Sequence, residues 1–163
     1  MYQKILVPLD GSPEAETALP VALQLRSGLD AEVLLARMQG LGTELGFPVG
    51  FPVPTETLEA ERLRCDTYLL SLAGKLAPDC SKLTTRVLPH QQDIARELAC
   101  LARSEQCQLI VMTSHGWEGL GRTLRGSVAE ELARIAPCPV MIIGPHSHVL
   151  EAAKHHQTGQ SGQ

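Results

Sequence analysis

Residues 5–13 read ILVPLDGSP, and this stretch decides the fold class. The apolar run from Ile5 to Leu9 is followed by the turn-forming residues Asp10 and Gly11, which predicts a short strand buried on both faces. Ser12 before Pro13 is typical of a helix start, with serine as the N-cap and proline as the first helical residue. The chain therefore opens with a strand that leads directly into a helix.

The same alternation of short strands and longer helices continues along the chain. An α/β fold follows from it, because right-handed crossovers produce an open parallel sheet with helices on both faces, as in Rossmann-like proteins. The predicted elements are a helix from Pro13 to a stop at Gly28, a strand at Val33–Met38, a helix at Thr55–Leu76, a strand at Lys82–Leu88, a helix with Ile94, Leu98 and Leu101 on its buried face, a strand at Leu109–Met112, a helix with Val128, Leu132 and Ile135 on one side, and a strand at Val140–Ile143.

Composition narrows the class of protein. A chain of 163 residues, 44% of them hydrophobic, can bury one core without disulfides, and its net charge of −4 gives no general attraction to nucleic acid or to anionic membranes. No apolar run approaches the roughly 20 residues that span a bilayer. The five cysteines form no CxxC pair and are interpreted as reduced, intracellular thiols, most of which pack in the core. We expect a cytoplasmic protein with one domain over residues 1–145, a mobile connection over residues 40–54 and a flexible tail over residues 146–163.

The loop after the fourth strand is the second informative stretch. Residues 113–127 read TSHGWEGLGRTLRGS and lead into a helix. In an open parallel sheet, ligands bind beyond the carboxyl ends of the strands where the winding direction reverses, so this loop and the one after the first strand are expected to meet there. Glycines let the backbone approach an anion closely, and the start of the next helix attracts negative charge. Arg122 and Arg125 are candidate phosphate contacts.

These residues carry a family resemblance. The stretch LIVMTSHG at residues 109–116, GSVAE at residues 126–130, PCPV at residues 137–140 and the opening ILVPLDGS together resemble the universal stress protein family over about residues 2–144. The phosphate motif of its ATP-binding members is a glycine, two residues, a glycine, nine residues, and a glycine before serine or threonine. Gly116, Gly126 and Ser127 match this motif, and Thr113 stands where its first glycine should be.

The resemblance implies a strand order of 3-2-1-4-5 and a homodimer formed through the last strand, Val140 to Ile143. It implies ATP, with Mg²⁺ as a candidate companion, as the bound cofactor of a regulatory stress-response protein that also has protein partners. Asp10 and Met38 would face the adenine and ribose, and the glycine turn would hold the phosphates. The nucleotide-binding residues it implies are Asp10, Met38, Met112, Thr113, Gly116, Gly126, Ser127 and Val128. No catalytic residue and no metal ligand are assigned, and at most slow ATP hydrolysis is expected.

Simpler interpretations remain open at several of these positions. Asp10 can stabilise its own turn, Ser127 and Glu130 can form a capping box, and Arg122 and Arg125 can be solvated loop charges. Because Thr113 replaces a motif glycine, the alternative function is a homodimeric interaction protein of the same family that binds no nucleotide. An enzyme of the wider adenine-nucleotide α/β group is a third hypothesis, but the sequence lacks a P-loop and the signature loops of those enzymes.

Overall fold

The computed structural model describes residues 2–40, 45–48, 51–76, 82–89, 93–114 and 127–144. Helices and strands alternate along it as the sequence predicts. In chain order they are β1 (Lys4–Leu9), α1 (Pro13–Glu16), α2 (Leu19–Leu29), β2 (Glu32–Met38), α3 (Thr55–Leu76), β3 (Leu83–Leu88), α4 (Ile94–Ser104), β4 (Leu109–Thr113), α5 (Ser127–Ile135) and β5 (Val140–Ile143). The tail over residues 146–163 and much of the 40–54 connection lie outside the described residues, so the expectations for them stay predictions.

The five strands form one parallel sheet in the order β3-β2-β1-β4-β5, which confirms the predicted architecture. The central strands are mostly apolar because both of their faces are covered by helices. β1 is buried from Ile5 to Leu9, and all residues of β4 are buried. Among the described residues, no helix is both long enough and apolar enough to cross a membrane.

Two hydrophobic clusters lie on opposite faces of the sheet. On one face, Val7 and Leu35 pack with α1, α2 and α3, whose buried side chains include Leu69. On the other face, Ile110 packs with α4 and α5 around Leu132. The helices that follow β1 and β4 therefore leave the sheet toward opposite faces. In open α/β sheets this reversal places the ligand-binding crevice at the carboxyl ends of the two neighbouring strands.

The first helix differs from the prediction of one continuous helix that Gly28 ends. The structure has two helices, separated at Thr17 and Ala18. Pro20 explains the interruption, since it has no backbone N–H for the carbonyl of Glu16 and its ring would clash with that carbonyl. Gly28 lies inside α2, and the helix ends one residue later at Leu29, where Asp30 adopts a left-handed conformation with a φ of 54°.

Two further predictions about buried faces were wrong. Ile135 is 41% exposed, because Ala129 and Leu132 rather than Ile135 make the buried face of α5. Cys100 is exposed, since the apolar face of α4 that carries Leu98 and Leu101 points away from it. The predicted burial of Cys65 and Cys107 is confirmed, and burial raises the pKa of each thiol to about 11, so neither is a ready nucleophile at neutral pH.

Candidate functional site

Strand register brings three strand ends to one level at the carboxyl edge of the sheet. Leu9, the last residue of β1, pairs with Arg37 of β2, so Asp10 is level with Met38. Leu6 of β1 pairs with Ile110 of β4, and counting three residues onward sets Leu9 level with Thr113. The loop after β1 and the end of β4 therefore flank the crevice, as expected from the sequence.

Asp10 is held in a fixed orientation by Ser12. The Oδ1 atom of Asp10 accepts hydrogen bonds from the Ser12 backbone N–H at 2.8 Å and from the Ser12 hydroxyl at 2.6 Å. The same hydroxyl oxygen accepts from the backbone N–H of Ala15 at 3.2 Å and caps α1, which confirms Ser12 as the N-cap. One carboxylate oxygen is thus engaged within the turn, and the carboxylate is anchored to the start of a helix.

The Asp10 carboxyl group is half-buried, and this burial raises its pKa. The hydrogen bonds from Ser12 and the positive charge of Arg37 act in the opposite direction, since each stabilises the ionised form. Burial is the largest of these effects. A carboxylate kept at a sheet edge against its own desolvation cost is typical of a functional position.

The other predicted site residues are distributed around the same edge. Met38 and Met112 are buried in the core on the α4 and α5 face, with Met112 fully enclosed, so the Met112 side chain does not line an open crevice. Thr113 is 5% exposed and ends β4. Ser127 and Val128 are half-buried and begin α5.

Thr113 lies in strand geometry. Among the described residues, only Asp30 and Gln106 are non-glycine residues with a positive φ. A threonine is therefore compatible with the backbone at position 113, because β-branched residues favour strand conformations. Gly116, Gly126, Arg122 and Arg125 lie outside the described residues, and the predictions for them remain untested.

Sequence reasoning missed Arg37. Its guanidinium lies over the ring of Tyr68, with the guanidinium carbon 4.7 Å from the ring centroid. It also lies against Gly11, since the guanidinium carbon is 2.9 Å from the place where a Cβ would stand on that glycine. Gly11 has a φ of +90°, which favours glycine independently of this contact. The signal was present in the sequence, because Arg37 is a charged residue in the otherwise apolar second half of a buried strand.

Tyr68 and Glu61 extend this polar group along α3. The Tyr68 hydroxyl donates a 2.7 Å hydrogen bond to the Glu16 carboxylate, which joins α3 to α1. One turn before Tyr68, the Cys65 thiol lies 3.9 Å from the Met38 carbonyl oxygen and 3.6 Å from the Glu61 carboxylate. Polar side chains of α1 and α3 thus lead to Arg37, whose guanidinium reaches the loop after β1 on one face of the sheet.

Comparisons with known proteins agree with this architecture. The family model described as "Universal stress protein family" matches residues 1–144. A universal stress protein of Methanocaldococcus jannaschii is 31% identical over 146 residues, which are 88% of this chain and 82% of the relative.

Solved structures resemble the fold closely. Universal stress protein UspA from Lactobacillus plantarum superposes with a TM-score of 0.69 at 21% identity and covers 87% of this chain and 97% of its own. A universal stress protein solved in complex with cAMP superposes with a TM-score of 0.62 at 22% identity, over 87% of this chain and 97% of its own. At these identities the two structures support the fold, and the family model and the archaeal relative identify the family. The chain belongs to the universal stress protein family.

Proposed function

We propose that this chain is a cytoplasmic, adenine-nucleotide-binding regulatory protein of the stress response that acts as a homodimer. The observation that carries the proposal is the Asp10 carboxylate, which Ser12 holds at the switch point of the sheet beside the ends of β2 and β4. Ligands of open α/β sheets bind at this point. The proposed role is nucleotide binding. No residue is assigned a catalytic role, and at most slow ATP hydrolysis is expected.

Proteins of this fold that hold nucleotides support the choice of ligand. Besides the complex with cAMP, a universal stress protein from Archaeoglobus fulgidus was solved with dAMP, at 18% identity and a TM-score of 0.60. A family member from Arabidopsis thaliana was solved with AMP, at 16% identity and a TM-score of 0.57. All three ligands are adenine nucleotides, which differ in their sugar and phosphate groups.

In the proposed complex, Asp10 and the end of β2 contact the base and ribose of ATP. The phosphates are proposed to lie on the glycine turn that contains Gly116 and Gly126, and at the start of α5, where the Ser127 hydroxyl and the positive end of the helix dipole favour an anion. Arg122 and Arg125 are proposed to neutralise phosphate charge, and Mg²⁺ to accompany ATP.

Thr113 favours a second candidate function. Its side chain is buried at the end of β4, where the nucleotide-binding motif has a glycine, so a methyl group and a hydroxyl occupy space next to the proposed phosphate turn. A family member with a narrowed turn would bind no nucleotide and would act through protein contacts alone. The two candidates differ in whether ATP stabilises the protein.

The experiment that separates them is a thermal-shift titration with ATP, ADP, AMP and cAMP, with and without Mg²⁺. A bound nucleotide stabilises the native state by RT ln(1 + [L]/Kd), so a ligand present at about 100 times Kd adds roughly 2.7 kcal/mol. The wild type should show a saturable shift, and Gly126→Asp, which adds a like charge to the phosphate turn, should lose it. Absence of any shift at millimolar nucleotide would favour the interaction protein.

The proposed dimer forms through β5, the outermost strand of the sheet in the part of the chain that the structure describes. Met141 is 38% and Ile142 is 41% exposed on this last strand of the sheet, and exposed apolar side chains on an edge strand are typical of a pairing surface. Sedimentation should give a dimer for the wild type and a monomer for Ile142→Lys. The matched control is Leu63→Lys on α3, where the leucine is 67% exposed and the dimer should persist. A wild-type monomer would contradict the assembly.

A further inference from the structure

Arg37 is the charged residue at the end of a buried strand. It occupies the penultimate position of β2 between the buried residues Ala36 and Met38, and its strand partners are Leu9 and Val87. Apolar residues are the rule at such positions, since both faces of a central strand are covered. A long cationic side chain kept there requires a specific set of contacts.

The guanidinium group has an unsatisfied donor. The Nε atom of Arg37 is buried and has no hydrogen-bond partner among the described residues. None of the ion pairs between residues in the described part of the chain involves Arg37. Burying an unpaired donor of a charged group costs free energy, so hydrogen bonding alone does not explain the position of this side chain.

Stacking supplies the explanation. The face of the Tyr68 ring attracts the cation at a centroid distance of 4.7 Å. Toward Gly11, the guanidinium carbon and its two terminal nitrogens are 2.9, 2.9 and 3.1 Å from the position of an added Cβ. If an edge of the group pointed at Gly11, the central carbon would lie farther away than the nitrogens. The plane of the guanidinium therefore faces Gly11.

These contacts connect α3 to the loop that presents Asp10. Tyr68 is itself fixed by its hydrogen bond to Glu16 on α1, so the stack is supported from a second helix. A Cβ on Gly11 would lie 2.9 Å from the guanidinium carbon, so the guanidinium would have to shift away from the loop, and glycine permits the approach as it stands. The position of the loop after β1 thus depends on a side chain from β2 and a ring from α3.

We propose that Arg37 is a positioning residue for the nucleotide site, because its guanidinium, stacked against Tyr68 and Gly11, fixes the loop that presents the Asp10 carboxylate at the crevice. Arg37 acts through Gly11 and Asp10 and need not touch the ligand. The effect of Arg37 on nucleotide binding rests on the proposed function, but its effect on the loop with Asp10 exists in the ligand-free protein.

The test compares Arg37→Met, which keeps an unbranched side chain of similar reach and removes the charged plane, with Arg62→Met, which removes an exposed arginine from α3. In ligand-free protein, the carboxyl ¹³C signal of Asp10 is titrated and the amide signals of Gly11 and Ser12 are recorded. Arg37→Met should move these amide signals and raise the pKa of Asp10, since a nearby positive charge is removed. It should also weaken ATP binding at least tenfold. Arg62→Met should leave the pKa of Asp10 and the amide signals unchanged, and its affinity for ATP should stay within twofold of the wild type.

Tyr68→Leu provides a second variant if Arg37→Met does not fold. It removes the ring that holds the guanidinium and should likewise displace the Gly11 and Ser12 amide signals and weaken ATP binding. Unchanged Asp10 and Gly11 signals in a folded variant of either residue would overturn the inference. If the wild type itself binds no ATP, the proposed function fails, and the signals of the ligand-free protein still decide whether Arg37 positions the loop.

Discussion

Gly11→Ala is predicted to destabilise the protein for two reasons that can be separated. The φ of +90° at position 11 strains any residue that has a Cβ, at a cost of about 1–2 kcal/mol. The new Cβ would also lie 2.9 Å from the Arg37 guanidinium carbon, so the flexible end of Arg37 must shift and its contact with the Tyr68 ring weakens, at a further cost of about 0.5–1 kcal/mol. Together these give about 1.5–3 kcal/mol, which for a domain of this size lowers the Tm by about 3–12 °C.

The assay is urea unfolding of Gly11→Ala beside two comparison variants. Gly28→Ala is the matched control, because Gly28 lies inside α2 with no atom within 4 Å of an added Cβ, and alanine there should stabilise the protein by about 0.5–1 kcal/mol. In an Arg37→Ala background, the steric part of the Gly11→Ala cost should vanish and the backbone part should remain. Equal costs of Gly11→Ala with and without Arg37 would refute the stacking geometry.

Three further predictions follow from contacts elsewhere in the fold. Asp10→Asn should keep both Ser12 hydrogen bonds through Oδ1 and should lose nucleotide affinity without losing stability. Because burial raises the pKa of Asp10, calorimetry over a pH series should show that the wild type loses stability relative to this variant as pH rises through that pKa. A variant much less stable than the wild type at neutral pH would contradict this prediction. Glu105→Gln should lower the free energy of unfolding by roughly 0.5–1 kcal/mol at pH 7, since hydrogen bonds from Lys4 and Arg86 lower the pKa of Glu105. This difference in stability should shrink as the pH falls below the ordinary carboxyl range. A constant difference from pH 7 to pH 3 would disprove the linkage. Leu132→Ala should cost about 2–5 kcal/mol in urea unfolding, because the side chain is fully buried, and a cost under 1 kcal/mol would mean that α5 does not pack as described.

The fold was predictable because its signals are local and strong. The run from Ile5 to Leu9 has the composition of a strand covered on both faces, and the structure buries it fully. Ser12 and Pro13 start α1 as their residue types require. The interruption at Thr17 differs from the prediction because the apolar spacing of the helix continues across the break, although Pro20 lacks the backbone N–H that a continuous helix needs there.

The candidate site was predictable only in part. Asp10 could be found because it follows a central strand at the switch point, which is a matter of position along the chain. The contacts of Arg37 with Tyr68 and Gly11 could not, since they join residues from three separate elements and depend on side-chain geometry. The family resemblance implies Met112 as a nucleotide-binding residue, but strand alternation directs its side chain into the core.

The most direct test of nucleotide binding at this site is an ATP titration of the ¹⁵N-labelled protein followed by amide chemical shifts. Saturable shifts are expected at Asp10 and Gly11, at Met38 and at the start of α5 near Ser127, with the signals of Lys4 and Glu105 unchanged. Asp10 and Met38 lie level at the carboxyl edge of the sheet, and Lys4 lies at the opposite edge, where β1 begins. Shifts confined to another surface, or none at millimolar ATP, would contradict it.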